Sequence, residues 1–517
     1  MIFLLSHSID QSARRFPTKE AFRCMNDALT YQELAKKTDQ LALQLIASGV
    51  KKGDRVGVYM NRCLDSAIAV YGILKAGAAY VPLNPAAPKA HSSFVISDCG
   101  IEFIVSNMAQ RRGLKALLKE AADIKQVIGV DIELSVPTVS WESVFGHEGT
   151  PEPSAPVLES DLAYILYTSG STGKPKGIMH THHSGLSFAR LAVSLYDINE
   201  NDRLANHSPL HFDISTLAYF AAPYVGATAV ILTDAHTKMP ASQAQLIGKE
   251  QITIWYSVPL ALLQMIQANV LEGLNVSALR WVLFAGEPFP TKHLRSLMQL
   301  WPNPGFGNLY GPTETNVCTY FNLHETPAND EPIPIGKAWE NTQCLVLNEE
   351  DKPLAPGESG ELVVRSPTMM YGYWNKPELN AKCFFNRKNA AGIEETYYRT
   401  GDLVREDEGE LIFLGRLDRQ VKVRGYRIEL DEIANVLLQH EAVDEAAVFV
   451  VEKEEEGASI HAQVLLKDRA VISEAELGKL ASEHLPKYAV PEQIAIATDF
   501  PRTATGKIDH LKIAATY

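Results

Sequence analysis

What most constrains the fold of this chain is an alternation of two periodicities. DRVGVYM (54–60), EFIVSN (102–107) and QVIGVD (126–131) are short apolar runs of the length and composition of buried strands. They alternate with TYQELAKKTDQLALQLIAS (30–48) and CLDSAIAVYGILKAG (63–77), whose apolar residues recur at helical spacing. Strands separated by helices pair in parallel, which predicts an α/β architecture with mostly parallel sheet. From about residue 340 the pattern changes. GELVVRS (360–366), GELIFLG (409–415) and QVKVRGYRI (420–428) are short alternating strands with glycine turns, the pattern of a β-rich subdomain. The last hundred residues read as helix (LDEIANVLLQH), strand (EAAVFVVE) and helix (EAELGKLASEHL), a small α+β unit. The expected boundary is Asp418, with a large N-terminal region over 1–417 and a small C-terminal domain over 418–517.

Composition limits what such a chain does. Its 517 residues exceed one ordinary core, so two or more domains are expected. A formal net charge of −14 argues against a nucleic-acid partner or an acidic membrane surface, leaving room for a local basic pocket. Six cysteines, at 24, 63, 99, 318, 344 and 383, show no CxxC spacing and suggest reduced thiols in a cytoplasmic protein. The N-terminal MIFLL lacks the basic flank and cleavage pattern of a signal peptide. No apolar run reaches the roughly 20 residues of a transmembrane helix.

The stretch YTSGSTGKPKG (167–177) has the composition of a polyphosphate cradle. A strand, LAYILYT, leads into it. Its glycines allow positive φ and close approach of backbone N–H groups to an anion. The hydroxyls of Thr168, Ser169, Ser171 and Thr172 add donors, and Lys174 and Lys176 add charge. It is not a Walker loop: Pro175 follows Gly173–Lys174, and Thr168 stands where that motif needs its first glycine.

Four further stretches follow in order: NLYGPTETNV (308–317), YRTGDLV (398–404), GRLDRQVKVRGYRIEL (415–430) and PRTATGKID (501–509). With the loop, they closely resemble the core motifs of the adenylate-forming superfamily, which includes amino-acid adenylation domains, acyl-CoA ligases and luciferases. The resemblance runs from LTYQEL (29–34) and LKAGAAYVPLNP (74–85) to the C-terminus. It implies a large α/β region with a mobile C-terminal lid. It also implies a two-step reaction: a carboxylate attacks the α-phosphate of ATP, then a thiol takes the acyl group and AMP leaves.

The resemblance assigns roles residue by residue. Lys507 would bridge the substrate carboxylate and the α-phosphate, lowering the repulsion between two anions. Thr168, Ser169, Gly170, Ser171, Thr172, Gly173 and Lys174 would hold the phosphates, with Thr168 and Lys174 aiding the chemistry. Glu314 would ligate magnesium, a hard oxygen for a hard cation. Tyr310 would stack on adenine, with Asn308, Gly311, Thr313 and the Gly286–Glu287 backbone around it. Asp402 would bind the ribose hydroxyls through charge-assisted hydrogen bonds, helped by Arg416 and with Phe413 near the sugar. Asp418 matches the hinge, and Lys422 would serve the thiol-dependent step. HTHH (180–183) lacks further ligands at metal spacing, and a helix start explains it. EKEEEG (452–457) reads as a solvated acidic turn.

HFDIST (211–216) points to the substrate class. In amino-acid adenylation domains this slot reads FDxS, and its aspartate pairs with the α-amino group. Asp213 fits, since a buried carboxylate requires a cation. The positions carried over for the side-chain pocket are Ile214, Leu217, Tyr256, Leu283, Ala285, Leu309, Val317 and Cys318, apolar or nearly so. The same residues suit a plain core. As a pocket they suit a compact apolar amino acid, L-proline first, and resemble the set of stand-alone L-prolyl-AMP ligases. No carrier domain or GGxS-type motif follows the lid, so the thiol is expected from a separate carrier protein's phosphopantetheine arm or from coenzyme A. The alternatives are a D-alanine:carrier-protein ligase, an acyl-CoA ligase, which Asp213 disfavours, and a non-catalytic AMP-binding protein, which Lys507, Glu314 and Asp402 disfavour. Two departures from the pattern are minor: Asn84 stands where aspartate is common, and Thr505 where asparagine is.

Overall fold

The computed structural model describes residues 1–121, 123–170, 174–453, 457–467, 470–502 and 508–517. The chain divides into two units. The first comprises Met1–Pro85, Ile96–Leu166 and Gly177–Leu417; the second comprises Ala86–Val95, Tyr167–Lys176 and Asp418–Tyr517.

The first unit is α/β. One nine-stranded sheet has the order Lys337–Ala338, Thr319–Leu323, Gly305–Tyr310, Trp281–Ala285, Ile254–Ser257, Arg203–Asn206, Thr228–Ile231, Glu20–Cys24, Asp27–Thr30. Its centre is parallel and its edges are antiparallel. An eight-stranded sheet runs Gly372–Tyr373, Lys176–Thr181, Leu162–Thr168, Ala79–Pro82, Arg55–Tyr59, Phe103–Ser106, Gln126–Ile128, Thr138–Val139. From Leu162–Thr168 onward its pairs are parallel.

Helix Leu64–Lys75 is buried over its whole length from Ser66, and it touches strands of both sheets. An all-round apolar sequence such as AIAVYGIL belongs in that position. Gly72 is required there, because a Cβ would lie 2.6 Å from the Leu41 side chain on the neighbouring helix Tyr31–Ala47. Lys75 ends the helix buried but paired, its ammonium 2.7 Å from Asp10 and 2.6 Å from Asp39. The third sheet of this unit is antiparallel: Gln343–Leu347, Ser359–Arg365, Glu394–Asp407 and Phe384–Lys388, with Glu410–Arg416 also pairing to Glu394–Asp407.

The second unit opens its C-terminal part with a hairpin, Gln420–Val423 against Tyr426–Glu429. Arg424 (φ +55) and Gly425 (φ +77) make its two-residue turn, the geometry that matches strand twist. Helix Leu430–Leu438 follows, then Val443–Lys453 antiparallel to Gly457–Leu466, with Gln493–Ile496 added in parallel. Helix Glu474–His484 is started by a Ser473/Glu476 capping box. These elements bury their own core, which includes Ile433, Leu437, Val448 and Leu477.

Candidate active site

Asp402 owes its position to a bulge. Between Val363↔Arg399 and Glu361↔Leu403, four steps along strand Glu394–Asp407 oppose two on its neighbour. Gly401 takes φ +70 there, which glycine does without steric cost. Thr400 donates its hydroxyl across the gap to the Leu362 carbonyl (2.7 Å) and accepts the Asp402 N–H (3.0 Å). Bulges re-aim side chains beside active sites. Here the bulge brings the Asp402 carboxylate to the Arg416 guanidinium and the Tyr310 phenol, both of which donate to it. Asp402 is 1% exposed and Tyr310 5%. Burial, and after it the Asp402 charge, push the Tyr310 phenol well above its usual pKa, so it remains a donor. The Phe413 ring lies 6.5 Å from that of Tyr310.

Strand Gly305–Tyr310 ends in a tight loop. A Cβ on Gly311 would lie 1.8 Å from the Asn316 carbonyl, so only glycine lets YGPTETN close. Asn316 sits at φ +54 and donates its amide to Thr216 Oγ1 (3.1 Å); Thr216 donates to the Asp213 carbonyl (2.5 Å). Two distant motifs, FDIST and YGPTETN, are thereby joined. Within the same loop Glu314 is fully buried and accepts a hydrogen bond from the Tyr373 phenol (2.6 Å). Asn308 donates to the Pro334 carbonyl (2.8 Å). Gly286 has φ +101, and the Glu287 carboxylate accepts the Leu260 N–H (3.1 Å) at the start of helix Pro259–Gln267.

Asp213 opens a short 3₁₀ turn, Asp213–Ser215, followed by a π-turn over Leu217–Ala221. Single π-turns often mark functional sites because they re-space side chains on a helix. Ile214, Leu217, Tyr256, Leu283, Ala285, Leu309 and Val317 fall in one buried cluster continuous with the core. Cys318 does not join them. It belongs to the cluster of Tyr310 and Val404, with its Sγ 3.5 Å from the Tyr310 carbonyl. Tyr164 and Tyr256 are buried, and burial first, then the nearby Asp213 charge, raise both phenols' pKa. The Asp213 carboxylate, half-buried, therefore lies near both phenols.

The second unit carries the glycine-rich loop. Ser169 donates to the Arg427 carbonyl (2.9 Å), and Lys176 approaches Glu429 at 4.0 Å. Tyr167–Lys176 groups with the C-terminal residues. A Cβ on Gly170 would lie 2.2 Å from the Lys174 carbonyl. Thr168 Oγ1 is buried with no hydrogen-bond partner among the described residues, which fits a donor awaiting a ligand. Lys174 is exposed. Asp418 accepts the Gln420 N–H (3.2 Å), and Lys422 lies opposite Arg427 on the hairpin. Ser171, Thr172, Gly173, Thr505 and Lys507 lie outside the described residues, as do Glu454–Glu456 of the acidic turn.

Among the described residues no cluster of three or more His, Cys, Asp or Glu is arranged to hold a metal. HTHH contains the expected helix start, capped by Thr181. Helix His182–Tyr196 begins only at its third residue, and His180 and Thr181 belong to strand Lys176–Thr181. His180 stacks on Tyr164 (4.8 Å between centroids), with Nε2 2.9 Å from the Thr313 carbonyl. His182 accepts the Leu5 N–H at Nδ1 (3.2 Å). Burial lowers both to a pKa of about 4. A lone buried carboxylate such as Glu314 suits magnesium, which keeps its waters and takes its other ligands from phosphates.

Sequence reasoning weighed His180 only within HTHH and missed two residues of this site, Tyr164 and Tyr373. Each of those two lies in a strand, where a tyrosine reads as core. Tyr164 and His180 flank the glycine-rich loop in sequence, and that proximity was the available signal.

Comparison with known proteins identifies the family. The AMP-binding enzyme family matches residues 9–374, and the AMP-binding enzyme C-terminal domain matches residues 432–507. An L-proline–[L-prolyl-carrier protein] ligase of Pseudomonas fluorescens is 35% identical, covering 99% of both chains. A ligase of the same name from Streptomyces coelicolor is 34% identical, covering 94% of this chain and 92% of its own. The fold is that of the amide bond synthetase McbA from Marinactinospora thermotolerans, with a TM-score of 0.88 at 22% identity and 99% of both chains covered. Five motifs in order, the buried Asp402–Arg416–Tyr310 group and full-length relatives place this chain in the AMP-binding enzyme family, as an ATP-using, AMP-forming ligase.

Proposed function

We propose that this ligase activates a small apolar amino acid, L-proline foremost, and passes it to the phosphopantetheine thiol of a separate carrier protein. The observation that carries this reading is Asp213, a half-buried carboxylate close enough to the buried phenols of Tyr164 and Tyr256 for its charge to raise their pKa. A partly desolvated carboxylate favours a cation, and an α-ammonium supplies one. The remaining lining offers no charge to a polar side chain. Two full-length relatives named for L-proline and a prolyl carrier protein support the same choice.

In this reading residues 1–417 form the adenylation domain and 418–517 the lid, hinged at Asp418. Asp213 takes the ammonium and so orients the substrate carboxylate. Asp402 receives the ribose hydroxyls, and the aromatic face of Tyr310 receives adenine. Thr168, Ser169 and the backbone around Gly170 bind the outgoing phosphates, with Lys174. Lys507 lowers repulsion between the carboxylate and the α-phosphate, and Lys422 serves thiol transfer. Glu314 would hold magnesium, which when bound neutralises phosphate charge. Positioning and charge stabilisation are the main demands of attack at phosphorus.

The test is amino-acid-dependent ATP–pyrophosphate exchange across the twenty amino acids, D-alanine, pipecolate and a short fatty acid. A dominant L-proline signal is expected, with leakage to near neighbours, because an apolar pocket discriminates one methylene by only about 1–3 kcal/mol. A dominant D-alanine or fatty-acid signal overturns the substrate assignment.

A further inference from the structure

Glu314 is buried completely, and a buried carboxylate without donors is costly. Among the bonds that hold it and its loop, three meet at Glu314 and its neighbour Thr313. The Tyr373 hydroxyl donates to Glu314 Oε1 (2.6 Å). The Met370 N–H donates to the Glu314 carbonyl (2.6 Å). His180 Nε2 lies 2.9 Å from the Thr313 carbonyl; a carbonyl only accepts, so that nitrogen carries the hydrogen. Two of these three handles come from one place. His180 is on strand Lys176–Thr181, and Tyr373 is on the short strand paired to it, with Tyr373 opposite Ile178.

Tyr373 is itself fixed. Its N–H donates to Asn380 Oδ1 (2.7 Å), and its carbonyl accepts from Asn380 Nδ2 (3.0 Å). Its hydroxyl lies 3.2 Å from that of Tyr398, which stands on the strand that carries Asp402. A hydrogen-bonded line, Tyr398–Tyr373–Glu314, thus runs from the strand of the ribose carboxylate to the carboxylate assigned to magnesium. A hydrogen bond to a charged acceptor is stronger than one between neutral groups and fixes its direction.

We propose that Tyr373 is the positioning residue for Glu314: its phenol holds one carboxylate oxygen and so sets the direction in which the group meets a metal–nucleotide complex. The proposal rests on the reading of Glu314 as a magnesium ligand. Tyr398 supports Tyr373 and acts one step further away.

The experiment titrates the full chain with Mn2+ in the presence of ATP and no amino acid, followed by electron paramagnetic resonance. Tyr373→Phe is expected to weaken Mn2+ binding by about tenfold, the scale of a lost hydrogen bond to a charge. The Mg2+ half-saturation of pyrophosphate exchange rises in step and the melting temperature falls by a few degrees, because a buried acceptor is left unmet, while amino-acid KM stays within error. Unchanged Mn2+ binding in Tyr373→Phe overturns the proposal, as does a rise in amino-acid KM equal to the loss of metal affinity. If Tyr373→Phe does not fold, Tyr398→Phe decides: a weaker loss of metal affinity supports the proposal, and no loss overturns it. Glu314→Gln separates the two readings. If it leaves Mn2+ binding unchanged, the magnesium assignment fails; if it weakens binding and Tyr373→Phe does not, only the positioning role fails.

Discussion

Tyr310 and Asp402 come from different sheets and lie 92 residues apart, yet the phenol of one donates to the carboxylate of the other in an almost closed site. Arg416, directly opposite Asp402 on the next strand, completes the group. Both donors converge on the one carboxylate, so the consequences of removing each member differ.

Tyr310→Phe keeps the ring and loses one donor. The proposed stacking role predicts an ATP KM within about threefold of the parent and a loss of about 1–3 kcal/mol in stability, the cost of an unmet buried acceptor. Tyr310→Ala removes the ring as well, and ATP KM is expected to rise well over tenfold. Asp402→Ala strands the Arg416 charge and should cost about 3–5 kcal/mol in urea unfolding. Equal ATP KM values for the Phe and Ala variants refute a stacking role.

Gly170 makes a narrower case. Its Cβ would meet the Lys174 carbonyl at 2.2 Å, a backbone atom that cannot swing aside as a side-chain tip can. Gly170→Ala therefore forces the phosphate loop into another shape. The expected result is at least a tenfold fall in kcat/KM for ATP, with a melting temperature close to the parent's. Parental ATP kinetics show instead that the loop's shape does not matter for the reaction.

Acid sensitivity follows from buried histidines. His182 is held at a pKa of about 4 and His207 at about 3, both chiefly by burial. The unfolded chain binds these protons near pH 6.5 and the folded chain does not, so their stability contribution is complete above 6.5. It is lost as pH falls toward 4, each histidine adding a slope of about 1.4 kcal/mol per pH unit in that window. Glu432 acts in the opposite direction. Burial, with Glu429 adding to it, raises its pKa to about 7, so its stability contribution is complete below 4.5 and is lost as pH rises through 7. Urea unfolding of His182→Gln between pH 4.5 and 6.5 should show a pH slope lower by about one proton than the parent's. An identical slope contradicts the burial argument.

Local periodicity was enough to read the elements, because an apolar run such as DRVGVYM or a helical stripe such as LDEIANVLLQH carries its own pattern. The glycine-rich loop, Glu314 and Asp402 were legible as motifs. Other features depend on pairing that a single sequence does not display. The bulge that aims Asp402 is a register slip between two strands. Cys318 follows Val317 directly but packs on the Tyr310 side, because adjacent residues leaving a turn face opposite ways. Tyr167–Lys176 groups with the C-terminal residues, where Ser169 and Lys176 meet partners more than 250 residues away. Tyr373 meets Glu314 only through the pairing of a two-residue strand.

Asp213 offers the most direct test of the substrate. Its half-buried carboxylate lies near the buried Tyr164 and Tyr256, and its backbone is tied through Thr216 to Asn316. Asp213→Ala should raise the KM for L-proline by at least about tenfold while leaving ATP KM within about twofold, since the loss falls on a partly buried, charge-assisted contact worth about 1.5–3 kcal/mol. Cyclopentanecarboxylate, which has the ring and the carboxylate but no amine, separates recognition from damage. The parent enzyme should reject it, because it offers Asp213 no ammonium. The alanine variant should accept it better than the parent does, the pocket being apolar throughout. Loss of both substrates together points to a collapsed pocket, and unchanged handling of proline shows that the ammonium is bound elsewhere.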